Sequence, residues 1–289
     1  METDENGILK DVFVFLGMPI YDGMAYASTV ARGQSQGARK IRFMPQFEGS
    51  SVICHVFNRL WIQALGAYPT EKPFTHFAML HNDIVPDPWW IDTLWDEMQA
   101  TGATVVSAVA AIKDAKGVTS TAFGDPADPW DYRRITLTEL QKLPKTFTME
   151  EIEASRIWPK HQTEGKQLLV NTGCMLIDLS WPHWLDKEPD GITFTFRFDM
   201  DYRIQQWPNG TWNPEFAPED WRMSRYIQAH GGKVVATRKV GTIHMGMQHF
   251  PSTVVWGSAT DVEIDAFIAQ KAKVLGPQIQ LPPLAEVAS

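Results

Sequence analysis

Three short, almost wholly apolar runs constrain this chain most: VFVFLG at 12–17, THFAML at 75–80 and ATVVSAVAA at 103–111. A run with no polar alternation has no face to give to water, so each reads as a strand covered on both sides, the condition of a parallel sheet. The stretches between them have helical spacing. A helix is expected over about 24–37, ending near Gly37, and then a strand near 40–44. Ser50 or Ser51 is placed to cap a second helix running to about Gly66. Its Val52, Ile53, Val56, Phe57, Leu60, Trp61, Ala64 and Leu65 form one stripe, with His55, Asn58 and Arg59 beside it. Asp87 and Pro88 read as the cap and first position of a third helix, with Ile91, Leu94, Trp95 and Met98 on one face and Gly102 at its end. Strand, helix, strand, helix, strand in this order predicts parallel crossovers and an open α/β sheet.

The second half is less regular. Residues 125–134 read as a loop, LTELQKLP and FTMEEIEASR as short helices, and LLVNTGCMLIDL (168–179) as a strand pair or one strand bent at Gly173. The alternation in FTFRFDMD (194–201) suggests a strand with one wet face. Pro218-Glu219-Asp220 opens a helix reaching Gly231-Gly232, and KVVAT follows as a strand. Thr260 and Glu263 make a capping box for a final helix up to Gly276. At 289 residues the chain is at the upper end of what one core holds, so a single domain is expected. Its donor half would cover about 10–115, an acceptor half about 116–260, and a C-terminal helix and tail 261–289.

Composition excludes several classes. A net charge of −8 argues against a surface that grips nucleic acid throughout. Two cysteines, Cys54 and Cys174, allow neither a disulfide framework nor a zinc knuckle. The polar start METDENGILKD lacks the apolar core of a signal peptide, and no apolar run approaches the ~18–20 residues of a membrane span. A cytoplasmic protein without a membrane span is the expectation. Twelve tryptophans offer flat apolar faces of the kind sugar-handling clefts use, with Trp212 and Trp221 the first candidates.

In an open α/β sheet, ligands bind at the carboxyl ends of the strands. His81-Asn82-Asp83 follows the second apolar run there, and Asp83 offers a carboxylate to a hard divalent cation. As plain structure, the same triplet is a turn steadied by Asn and Asp. Asp199-Met200-Asp201 is a second acidic pair, placed later in the chain.

The stretch FTHFAMLHNDIVPDPWW resembles the DxD region of GT-A-fold nucleotide-sugar glycosyltransferases of the family 2 type, with His81 where the first Asp of that motif stands and Asp83 at the second. PEDWRMSRYIQAHGGKVVAT is similar to the Glu-Asp helix start that carries the catalytic base in inverting members, and VGTIHMG (240–246) to the late strand whose His closes the metal site. The order of these motifs also matches, over roughly 10–246. The resemblance implies a GT-A-like, mostly parallel sheet flanked by helices. It implies a Mn²⁺ or Mg²⁺ ion held by Asp83, His244 and His81, and a general base at Asp220 or Glu219. Gly17, Pro19 and Asp22 would hold the base and ribose of a nucleotide-sugar, a UDP-sugar first. Arg59, Asn82 and Asp83 would lie on the diphosphate side.

The implied activity is metal-dependent, inverting transfer of a sugar to a hydroxyl. The acceptor classes left open are a glycan, a protein, a small molecule and a hydroxylated base in phage-type DNA. Two other functions stay open: a nucleotide- or sugar-binding module without catalysis, and a nucleotidyltransferase. The second is disfavoured because LGMPIYDGM lacks the basic residues such a loop needs.

Overall fold

The computed structural model describes residues 2–20, 24–67, 73–114, 116–206, 210–246 and 249–257. Asp22 of the expected base-binding loop and the expected helix after Thr260 lie outside the described residues. In chain order the first half contains β1 (Phe13–Ile20), α1 (Ala27–Gln34), β2 (Arg42–Gly49), α2 (Ile53–Ile62), β3 (His76–Leu80), β4 (Ile84–Pro86), α3 (Trp90–Thr101) and β5 (Val105–Ala108). Then come β6 (Val118–Gly124), β7 (Tyr132–Thr136), α4 (Leu137–Leu140), β8 (Thr146–Phe147), α5 (Met149–Ser155), α6 (Lys160–Thr163), β9 (Gln167–Leu169) and β10 (Cys174–Asp178). The chain continues with β11 (Asp201–Gln206), β12 (Trp212–Ala217), α7 (Glu219–Ala229), β13 (Val234–Thr237), β14 (Thr242–Met245) and β15 (His249–Pro251).

The main sheet has the order β2-β1-β3-β10-β5-β13-β8. β1 pairs in parallel with both β2 and β3, and β5 with β13, while β10 runs antiparallel between β3 and β5. The protein is therefore α/β with a mixed sheet. The apolar runs are continuous because both faces are covered. Phe15, Phe77, Met79, Val105, Met175 and Ile177 pack with Val56, Phe57, Leu60 and Trp61 of α2 and with Met223 and Ile227 of α7. Their neighbours Val14, Leu16, Ala78, Leu80, Val106 and Leu176 pack with Trp90, Ile91, Leu94 and Met98 of α3 on the opposite face. Alternate side chains along each strand thus feed two separate cores.

Several expectations need correction. β1 runs on through Pro19 to Ile20, pairing with β2 to the end, whereas its pairing with β3 stops at Gly17. Beyond Gly17 the β3 side of the strand makes no ladder, which leaves room for a proline without an N–H. α2 begins at Ile53 without a side-chain cap. The Ser50 hydroxyl accepts from the Val52 N–H (3.1 Å) and shapes the turn before it. Asp87 does not cap α3. Its carboxylate accepts from the Gly241 N–H (2.7 Å), and Trp89, in the left-handed region, precedes the helix.

The 168–179 stretch is a strand pair, β9 and β10, in different sheets. Residues 194–200 form no strand of the kind expected. Phe196 and Phe198 turn inward onto Trp61 and Trp184, and the Phe198 backbone is held by the Asn58 amide in both directions (2.7 and 2.9 Å). A side chain here satisfies what a ladder would have.

Candidate active site

The carboxyl ends of β3, β5 and β13 lie at one edge of the sheet. β10, running the other way, begins there with the Asn171-Thr172-Gly173 turn. That turn is locked to the end of β5. The Asn171 amide donates to the Ala108 carbonyl (2.9 Å), its side-chain oxygen accepts from the Gly173 N–H (2.9 Å), and the Ser107 hydroxyl donates to the Asn171 carbonyl (2.7 Å). A Cβ on Gly173 would meet Asn171 Oδ1 at 3.1 Å and Ile84 at 3.3 Å, so the turn is built for glycine.

His81, Asn82 and Asp83 leave β3 beside this turn. The His81 N–H donates to the Gly173 carbonyl (2.9 Å), and its Nε2 lies 3.2 Å from the Thr172 hydroxyl. Burial pushes the imidazole of His81 down to about 4, against the charge of Asp83, so it is neutral at neutral pH. The Asn82 amide donates to the Met24 carbonyl (2.7 Å) and ties the stretch after β1 to the end of β3.

Asp83 and His244 are brought together by strand pairing. β4, which starts one residue after Asp83, pairs antiparallel with β14, so that His244 faces Ile84. The Met245 N–H donates to the Asp83 carbonyl (2.7 Å). His244 Nδ1 lies 2.7 Å from the Ala111 carbonyl, which can only accept, so Nδ1 carries a proton. Its Nε2 then faces Asp83 Oδ2 at 3.3 Å. At that distance Nε2 can donate to the carboxylate when the ring carries a second proton, and otherwise turns its lone pair toward the same side as the carboxylate. An imidazole anchored through its other nitrogen to a backbone carbonyl is the usual support of a metal ligand.

Asp83 Oδ2 also accepts from Lys113. Burial works against the charge of Asp83, but His244 and Lys113 outweigh it and hold the carboxyl well below the usual carboxylate range.

By donor chemistry, Asp83 and His244 could offer a divalent ion one carboxylate oxygen and one imidazole nitrogen. His81 stands by this pair, but its Nε2 is turned to Thr172. Among the described residues no group of three or more His, Cys, Asp or Glu is arranged as a ligand set.

Glu219 and Asp220 form the first turn of α7. Burial raises the carboxyl of Asp220 well above its ordinary value. The neighbouring Glu219 adds to this and the charge of Arg134 opposes it. Burial also raises Glu219. The favourable helix terminus is thus outweighed by loss of water. Arg134 lies over Trp221 (4.5 Å), donates to the Thr119 carbonyl (3.2 Å) and feels the charges of both Asp220 and Asp114, the residue after Lys113.

The other expected residues have different surroundings. Gly17 is buried inside the sheet, where a Cβ would meet Phe77 at 3.1 Å and Leu60 at 3.2 Å. Its smallness lets α2 pack closely, and that packing, not the approach of a ligand, accounts for it. Pro19 is buried in β1. Arg59 is half exposed and paired with Glu48 of β2 (3.0 Å). Trp221 is fully buried against Tyr132 and Arg134, with its N–H on the Ser120 carbonyl (3.2 Å), so it cannot stack on a sugar. Trp212 is 68% exposed on β12. Asp199 and Asp201 lie within 3.3–3.5 Å of the Arg222 guanidinium, and Arg197 stands 3.6 Å from Asp199. That pair is neutralised from within the protein.

Sequence reasoning missed Lys113 and Arg134. Lys113 lies on an irregular stretch and Arg134 is one of two adjacent arginines on β7, and neither has a spacing that marks it. In comparisons with known proteins, no family model and no curated protein matches this chain. No helix among the described residues is long and apolar enough to cross a membrane.

Proposed function

We propose that the protein is a GT-A-like glycosyltransferase that moves a sugar from a nucleotide diphosphate to a hydroxyl acceptor with inversion. It would act in the cytoplasm, as one domain whose donor half is about residues 10–115. The observation that carries the reading is the pair Asp83 Oδ2 and His244 Nε2, 3.3 Å apart, with the second imidazole nitrogen fixed on Ala111. Residues 161 positions apart in sequence meet at the edge of the sheet where the carboxyl ends of β3 and β5 lie, the usual place of a ligand in an open α/β sheet.

Asp83 and His244 would hold the ion, Mn²⁺ favoured by the imidazole and Mg²⁺ acceptable to the carboxylate. When bound, the ion neutralises charge that builds on the departing diphosphate. Neutral His81 orients the turn that carries Asp83 and keeps a second imidazole at hand. Asp220, raised by burial and by Glu219, takes the proton of the attacking hydroxyl, and assistance of this kind contributes on the order of 10²–10⁴-fold. The charge of Arg134 opposes that rise and favours the ionised form.

The substitution Asp220→Asn tests the base. Transfer should fall by about 10²-fold or more while nucleotide-sugar affinity stays within about twofold. Turnover equal to the parent's would remove Asp220 from this role. The buried pair Glu219–Asp220 supports catalysis over a binding module, because carboxyls with raised pKa values cluster at catalytic sites.

A further inference from the structure

One oxygen of Asp83 serves two neighbours, His244 Nε2 and the Lys113 ammonium. Lys113 follows β5 by a few residues and comes from the same short segment that fixes His244, since the Ala111 carbonyl two residues earlier receives His244 Nδ1. That segment is held in place. Ala111 bridges Thr119, the Ile112 N–H donates to the Val118 carbonyl (3.0 Å), and the Asp114 N–H donates to the Ile112 carbonyl (2.9 Å). The backbone is therefore fixed, while the lysine's four-carbon stem, 39% exposed, keeps its reach.

We propose, resting on the glycosyltransferase reading above, that Lys113 is an internal stand-in for the metal. It neutralises Asp83 while the site is empty, then passes to the leaving diphosphate when the ion takes Asp83. A divalent ion on Asp83 and His244 would compete with the ammonium on the same oxygen, because like charges at that separation repel. The displaced ammonium would remain within reach of the site and could pair with an anion bound there with the ion. Lys113 therefore opposes metal binding alone and favours binding of metal with diphosphate. By linkage, each ligand then raises the affinity of the other. The lysine confers ordered loading: the ion enters together with the diphosphate.

The test needs no acceptor and no turnover. Mn²⁺ affinity is measured by electron paramagnetic resonance for the parent, Lys113→Met and Lys113→Arg, first with MnCl₂ alone and then with inorganic pyrophosphate added. Lys113→Met should bind Mn²⁺ alone about tenfold more tightly and manganese pyrophosphate about tenfold more weakly, two changes of opposite sign. Lys113→Arg should follow the parent. Changes of the same sign, or Mn²⁺ affinity unmoved by Lys113→Met, would overturn the stand-in role and leave the metal site intact. No Mn²⁺ binding to either parent or variant, with or without pyrophosphate, would overturn the metal reading of Asp83 and the role of Lys113 with it.

Discussion

Asp220 sits between a carboxylate and a guanidinium that pull its titration in opposite directions. It is a base only when ionised, so kcat/KM falls as pH drops through its raised pKa. Arg134 lowers that pKa and Glu219 raises it. Arg134→Met should therefore move the acid limb of the profile to higher pH, and Glu219→Gln should move it to lower pH. A pH profile of transfer for both variants checks the two signs, and limbs that coincide with the parent's would dissociate Asp220 from the proton step.

His81 titrates in a different way. Its folded value, about 4, is below the ordinary 6.5, so the unfolded chain binds more protons between those limits and stability is lost as pH falls through that window. Between pH 7.5 and pH 5 this costs about 2 kcal/mol. In urea denaturation, His81→Gln should reduce the loss of stability over this range by about that amount. Equal slopes for parent and variant would contradict the buried, neutral imidazole.

At the level of elements, strands were legible where burial on both faces removes alternation, as in β1 and β3, and helices where a stripe faces a core, as in α2 and α3. What misled was alternation made for another purpose. In FTFRF, Phe196 and Phe198 form a cluster with Trp61 and Trp184, and Asn58 holds the backbone, so the period of two marks an inward-turned loop. The antiparallel insertion of β10 between β3 and β5 also left no mark in sequence, because a strand buried on both faces reads alike in either direction.

The two candidate tryptophans belong to unlike elements and should respond accordingly. Trp221→Ala removes a fully buried side chain that docks α7 on β6, at a cost of about 3–5 kcal/mol. Trp212→Ala on the exposed face of β12 should change stability by no more than about 0.5 kcal/mol. Chemical denaturation of both variants checks the contrast, and a large loss for Trp212→Ala would show that β12 is covered in solution.

For the whole molecule, the proposed site draws on motifs far apart in sequence, two of which, Asp83 and His244, meet at the sheet edge. The turn after β3, the strand that returns through β14 and the acidic start of α7 were each legible as local sequence. Their roles came only through resemblance, since no local pattern tells a metal-binding His from a core one. Lys113, the cation on Asp83, was not legible, because its partner is an aspartate 30 positions away.

The most direct test of the central claim is calorimetric titration of a small nucleotide-sugar panel, with and without Mn²⁺, on the parent and on Asp83→Ala. A donor that binds the parent with the metal, not without it, and that fails to bind Asp83→Ala, is the predicted result. Absence of binding by every nucleotide under both conditions would contradict the glycosyltransferase assignment and leave the α/β fold standing by itself.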